Sequence, residues 1–347
     1  MKVWVNVALV CCFACGDDDG RIRDAATTDS ATATDSAVRT DAGTLADTGT
    51  DAAAALDASD GVDSAVPGGD APTGPGRATV EVREDAIMRG DRRIPVAAYL
   101  PGEPAPLVLF LPGFQLESRR YDALCRRVAS HGFVVVRADP PAALLSVSHT
   151  AMQADAGAVL DWALGELAVS GGAGAMGHSL GGKVSTMLAG GDARIVALLG
   201  IDPVNGGNPF TGYSAELPDV VPAVTQTLSI PVGYLGETTN GSAGLGGMAC
   251  APTDQNYATF FEGSTAASSA AEWTFAMADH MDFVPDVAGC GFTCSACPNG
   301  GADESVVQAG MMTLATAFFR RHLKAEAAMD AFLVGPQVPA GVTVRSR

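Results

Sequence analysis

Ser179 lies in Gly177-His178-Ser179-Leu180-Gly181-Gly182, a serine with a glycine two residues to either side. A serine hydroxyl attacks an acyl carbon once a base takes its proton and a carboxylate holds that base in place. Gly177 and Gly181 suit the strained strand-to-helix turn that lifts such a serine above a sheet, where side chains would collide with opposing backbone. Two histidines follow the serine. His322, beside Arg320 and Arg321 on the polar side of a closing helical pattern, reads as a solvated surface residue. His280, in Ala278-Asp279-His280-Met281-Asp282 just past an apolar strand, is the candidate base. Two carboxylates compete to orient it: Asp202, which ends the run Ile195–Ile201 before Pro203, and Glu237, which ends the next run at Leu235-Gly236-Glu237. Asp202 is the favoured acid and Glu237 the alternative; each also has an ordinary use, as an Asx-type turn or a loop cap. The oxyanion formed by attack needs two backbone N–H donors, and these are assigned to Leu180, after the serine, and Phe114, in Leu111-Pro112-Gly113-Phe114. Of the other histidines, His178 reads as structural, His131 as a helix stop and His149 as loop or helix start.

These residues need a scaffold that brings distant stretches to one edge. Past Pro75 short Val/Ile/Leu runs alternate with longer amphipathic stretches, the pattern of a mostly parallel sheet with helical crossovers. Ala78–Arg83 and Ile94–Leu100 read as an antiparallel pair around a turn at Gly90-Asp91. Leu107–Leu111, Phe133–Val136, Ala173–Met176, Ile195–Ile201, Val232–Leu235 and Trp273–Met277, the last of them, read as strands. Glu117–Ser130, Thr150–Leu167, Leu180–Ala189 and Ser305–His322 have helical spacing. Asn205–Ser229 and Thr238–Ala271 fit neither pattern and read as loops and a lid over the site.

The first 77 residues are of another kind. Met1–Cys15 has one positive charge and a short apolar run, as in a secretory leader. Its end, Cys12-Phe13-Ala14-Cys15-Gly16, resembles a bacterial lipoprotein signal with Cys15 as the lipidated residue. Residues 16–77 are dominated by Asp, Ala, Thr, Ser, Gly and Pro, too few of them apolar to offset ordering entropy, and read as a disordered linker. Such a tether reaches about 45 Å. Much of the net charge of −18 belongs to this tract and argues against nucleic acid as a partner. The expected setting is the bacterial cell envelope, lipid-anchored or secreted, with the membrane contacted by the lipid anchor alone. The catalytic domain is expected over residues 78–347. Eight cysteines are present, three of them in the leader. In an oxidising compartment Cys250, Cys290, Cys294 and Cys297 are disulfide candidates with the pairing open, favoured over a zinc site because the tight group supplies only three thiols. Cys125 reads as a buried free thiol. No metal or cofactor is called for.

Several segments together resemble the chlorophyllase family of α/β hydrolases, with cutinase-like polyester hydrolases and platelet-activating-factor acetylhydrolases as more distant relatives. They are Leu111-Pro112-Gly113-Phe114, Ala129–Val136, Gly177-His178-Ser179 with Gly181-Gly182-Lys183, Gly200–Gly206, Cys250-Ala251-Pro252, Phe260-Phe261, His280-Met281-Asp282 and Cys297–Gly300. The resemblance implies an α/β-hydrolase fold, a serine carboxylic ester hydrolase acting on a hydrophobic ester, and a Ser-Asp-His set at Ser179, Asp202 and His280; a monomer is expected. Leu180 stands where chlorophyllases usually have Arg, and Pro112-Gly113 where they usually have His-Gly. Lipid esters, polyesters and small esters therefore stand beside chlorophyll as substrates. An acyltransferase on the same scaffold and an inactive tethered binding domain are the rival readings.

Overall fold

A computed structural model describes residues 70–142, 147–242, 249–290 and 292–347. The leader, with Cys15, and most of the linker lie outside the described residues. Residues 70–77, counted above with the linker, are bonded to the domain: the Gly76 N–H donates to Ser130 Oγ at 2.8 Å, and His131 Nε2 meets Gly74 O at 2.9 Å.

Nine strands form one sheet: β1 (Glu81–Arg89), β2 (Arg92–Leu100), β3 (Ala105–Leu111), β4 (Val134–Ala138), β5 (Val169–His178), β6 (Ile195–Ile201), β7 (Pro231–Glu237), β8 (Ser269–Phe275) and β9 (Val342–Ser346). Their spatial order is β1-β2-β4-β3-β5-β6-β7-β8-β9. From β4 through β8 neighbours run parallel; β1 and β2 at one edge and β9 at the other are antiparallel. The helices are α1 (Asp122–Ser130), α2 (His149–Glu166), α3 (Leu180–Gly191), α4 (Tyr257–Gly263), α5 (Phe292–Ser295), α6 (Glu304–Leu323) and α7 (Asp330–Leu333).

The period-2 alternation of strand side chains divides the core into two layers. Val108 and Phe110 of β3 pack with Leu124, Val128, Phe318 and Phe319 from α1 and α6. Leu107, Leu109 and Leu111 of the same strand point the other way, toward Val159, Leu160, Val184 and Leu188 of α2 and α3. A strand covered on both faces reads as a continuous apolar run, which is why Leu107–Leu111 stands out in the sequence. This is the expected α/β-hydrolase architecture.

Three elements differ from expectation. Trp273–Met277 marks β8 but not the last strand, because β9 adds antiparallel to it with Trp273 opposite Val344; β9 is short, half-exposed and polar at its end, so it lacks a buried strand's apolar run. The α4 helix interrupts the segment expected to be loop, capped by the Asn256 side chain and anchored by buried Phe260 and Phe261. β1 continues to Arg89, directly onto the Gly90-Asp91 turn, its exposed alternation too polar to register as a strand.

Candidate active site

Of the five described non-glycine residues with positive φ, four follow the carboxyl ends of strands: Gln115 after β3, Ser179 after β5, Asp202 after β6 and Met277 after β8. Left-handed backbone at residues with a Cβ costs energy and persists where the surroundings enforce it, commonly at functional sites. Three expected site residues, Ser179, Asp202 and His280, lie in or next to this strained rim.

Ser179 has φ 55° and ψ −121° between β5 and α3. The turn is crowded enough to need its glycines. A Cβ at Gly177 would lie 2.3 Å from the Gly181 backbone, and one at Gly181 would lie 2.1 Å from Leu111 O. The neighbouring strand end holds the turn: the Ser179 N–H donates to Ile201 O at 3.0 Å, and Val204 N donates back to Ser179 O at 3.2 Å.

Asp202 is fully buried, and its Oδ2 is 2.6 Å from His280 Nδ1. Burial pushes this carboxyl's pKa up, while the hydrogen bond from His280 pulls it down. His280 starts a 3-10 turn, His280–Phe283, fixed by a capping box in which the Asp279 side chain accepts from Met281 N and Asp282 N and the Asp282 side chain accepts from Asp279 N. Asp279 also accepts from Gly300 N at 2.6 Å, and a Cβ at Gly300 would lie 2.3 Å from Met277 O, so the segment after Cys297 packs directly beneath this turn.

His178, the residue before Ser179, packs against His280. Its ring is buried, 4.5 Å from the His280 ring centroid to centroid, with Nε2 3.1 Å from His280 O and Nδ1 2.7 Å from Tyr121 Oη. A carbonyl only accepts, so Nε2 carries the proton and Nδ1 accepts from the tyrosine hydroxyl. Burial holds the His178 pKa well below the usual histidine range, so the ring stays neutral and the tautomer is fixed. The other side of the His280 backbone is held by Asn240, whose Oδ1 accepts from His280 N at 2.7 Å and whose Nδ2 donates to Pro298 O at 2.8 Å.

Glu237, the alternative acid, is buried beside Asp202 but makes no bond to His280. It closes a turn by accepting from Thr239 N and, at 2.8 Å, from Asn240 N. Burial, then the charge of Asp202, raises its pKa to about 7 against the pull of those amides.

The loop carrying Phe114 lies against Ser179: a Cβ at Gly113 would be 3.3 Å from Ser179 Cβ. Leu116 N bonds Gly113 O at 3.1 Å, closing a turn with Gln115 in its positive-φ position. Leu180 opens α3, so its N–H has no partner within the helix. Phe114, Ser179 and Leu180 share the wall of a cavity of about 630 Å³ with Val204, Phe210 and Leu217.

The cysteines pair as Cys250–Cys297 and Cys290–Cys294, which uses the thiols that a zinc site would need; Cys125 is buried and free. Among the described residues no group of His, Cys, Asp or Glu is arranged to hold a metal ion, and no helix is long and apolar enough to cross a membrane. His322 differs from expectation. It is half-buried, 4.6 Å from the Phe318 ring, and desolvation lowers its pKa to about 4; the two arginines before it hide the fact that its own position on α6 turns inward. Asn240 and Tyr121 are the site residues that sequence reasoning missed. A Glu-Thr-Thr-Asn-Gly turn marks the first only as turn chemistry, and nothing local marks the second.

A family model described as chlorophyllase matches residues 94–341. Chlorophyllase-1 of Arabidopsis thaliana is 30% identical over 258 residues, covering 64% of this chain and 74% of that protein. Chlorophyllase-1, chloroplastic, of Citrus unshiu is 30% identical over 202 residues, covering 52% and 56%. Chlorophyllase type 0 of Chenopodium album is 30% identical over 212 residues, covering 52% and 55%.

Proposed function

The chain belongs to the chlorophyllase family of ester hydrolases, and from that premise we propose that it is a serine hydrolase of hydrophobic carboxylic esters working through Ser179, His280 and Asp202. The observation that carries the proposal is the 2.6 Å bond from His280 Nδ1 to Asp202 Oδ2, at the strand end that also accepts the Ser179 amide. That bond leaves the Nε2 edge of the imidazole for the serine, the arrangement a general base requires.

In the first half-reaction Ser179 Oγ forms a bond to the ester carbonyl carbon while its proton passes to His280 Nε2. Asp202 stabilises the resulting imidazolium, and the Leu180 and Phe114 amides receive the oxyanion. The C–O bond to the alcohol breaks, and His280 returns the proton to the departing oxygen. Water, deprotonated by the same imidazole, then attacks the acyl-enzyme, and the acid leaves with Ser179 regenerated. The apolar lining around Ser179 supports a hydrophobic acyl or alcohol group, as does the name borne by the relatives; a chlorophyll-type ester is one member of that class. Lipid attachment at Cys15 would tether the domain to the cell envelope, which incorporation of labelled palmitate into wild-type chain but not into Cys15→Ser tests.

Ser179→Ala is expected to abolish both hydrolysis of p-nitrophenyl esters and labelling by a fluorophosphonate. Labelling that persists at another residue overturns the assignment, and a wild-type chain that neither reacts nor turns over favours a binding domain. Product analysis with competing alcohols separates hydrolysis from acyl transfer.

A further inference from the structure

His149 opens α2 and forms part of the wall of the Ser179 cavity. Its place in the chain is fixed by main chain and by its neighbour: its N–H donates to Glu216 O at 2.8 Å, and the Ser148 side chain caps the helix. The imidazole contributes nothing to that anchoring. It is 5% exposed, and its Nδ1 has no hydrogen-bond partner among the described residues. An unpaired buried nitrogen destabilises a fold, and Leu or Phe would fill the same wall without that cost. The surrounding wall is largely apolar, with Phe114, Val147, Leu180 and Leu217 close by in it.

The ring is also held in one charge state. Burial, and then the nearby Lys183 ammonium, lower its pKa to about 4. Lys183 is itself fixed, donating to Gly206 O at 2.7 Å and lying 5.4 Å from the Tyr213 ring centroid. At neutral pH His149 is therefore a neutral imidazole with one N–H donor and one acceptor nitrogen.

We infer that His149 is a specificity-determining residue, hydrogen-bonding a second oxygen function, a hydroxyl or carbonyl, that the ester substrate carries away from its scissile bond. The scissile carbonyl oxygen is already provided for by the Phe114 and Leu180 amides, so a polar group elsewhere in an apolar cavity selects among substrates. A pocket that must leave a polar group unpaired discriminates strongly against the plain hydrocarbon analogue. The inference rests on the proposed role of Ser179.

The test compares kcat/KM for matched p-nitrophenyl esters: butanoate against 3-hydroxybutanoate, and hexanoate against 6-hydroxyhexanoate. Wild-type enzyme is expected to prefer at least one hydroxylated ester over its parent by about tenfold, after correction for their spontaneous hydrolysis rates. His149→Leu should erase that preference, bringing the ratio of kcat/KM for hydroxylated and parent ester to about one, and His149→Gln, which keeps a donor and an acceptor, should retain part of it. His149→Phe replaces the Leu variant if the latter's melting temperature falls. No preference in the wild type, or one that survives both apolar variants, overturns the inference while leaving the esterase reading standing. Absence of turnover on every ester, with no fluorophosphonate labelling of Ser179, defeats the esterase reading and this inference with it.

Discussion

Asp202 and Glu237 close neighbouring parallel strands at the same edge of the sheet, and both are buried, yet their oxygens are engaged differently. Asp202 Oδ2 accepts from the His280 ring, and its Oδ1 has no partner among the described residues. Glu237 has both oxygens taken by backbone amides two and three residues further on. A carboxylate whose acceptor sites are filled by its own turn is a strut, while one facing a side chain that changes charge can respond to it. Position at a strand end nominates both residues, and hydrogen-bond partnership distinguishes them. The sharpest way to break the contrast is Asp202→Asn. In the proposed mechanism the amide removes the charge that stabilises the imidazolium and disfavours the working tautomer, so kcat for a p-nitrophenyl ester should fall by about 10⁴-fold with the fold intact by circular dichroism. A loss under tenfold would mean that Glu237 or another group can serve instead.

A smaller effect is expected one step back, at the residue that links the two carboxylates' territories. Asn240 donates its N–H to the Glu237 carboxylate, and its own Oδ1 accepts from the His280 amide. Asn240→Ala leaves that buried N–H and the Pro298 carbonyl unpaired and frees the turn carrying His280, the proposed base. We expect kcat to drop by about 10- to 100-fold with KM little changed, since a misplaced base weakens the transition state more than binding. Asn240→Asp keeps the acceptor for His280 N and should recover more activity than Ala; equal loss in both would show that the contact does not position His280.

The same contrast explains how much of the site was legible in the sequence. Ser179 announces itself because steric crowding writes glycines at fixed offsets, visible without any tertiary knowledge. Asp202 and Glu237 were both visible as strand ends, but the choice between them depends on whether Glu237 folds back onto Thr239 and Asn240, a matter of three-dimensional turn geometry. The β3, β6 and β7 runs could be read because strands buried on two faces are continuously apolar, whereas β9 could not, being an edge strand stabilised by its pairing with β8. Tyr121 was hidden for a different reason: its hydroxyl meets His178 across 57 residues of sequence, and a buried tyrosine on a short 3-10 turn looks like any other core aromatic.

Glu237→Gln carries the smallest expected effect on turnover, within about threefold, because the amide oxygen can still accept from the 239–240 turn. Its effect on stability has a pH signature that a merely tolerated substitution would lack. Folding raises the Glu237 pKa from 4.5 to about 7, so between those values the folded chain keeps a proton that the unfolded chain releases. The group's contribution to stability is therefore greatest below about pH 4.5, declines as pH rises, and levels off above about 7. Glutamine cannot titrate, so the stability of Glu237→Gln relative to wild type should climb across that window, by at most about 3 kcal/mol. His149 and His322, both lowered to about 4, act in the opposite sense, losing stability as pH falls from about 6.5. Because they are common to both proteins, the difference between variant and wild type in urea melts at pH 4.5, 6 and 8 isolates Glu237. A difference that is flat with pH would mean the carboxyl is ionised throughout, and Glu237 would then be an anion supported by its two amides even with the Asp202 carboxylate beside it.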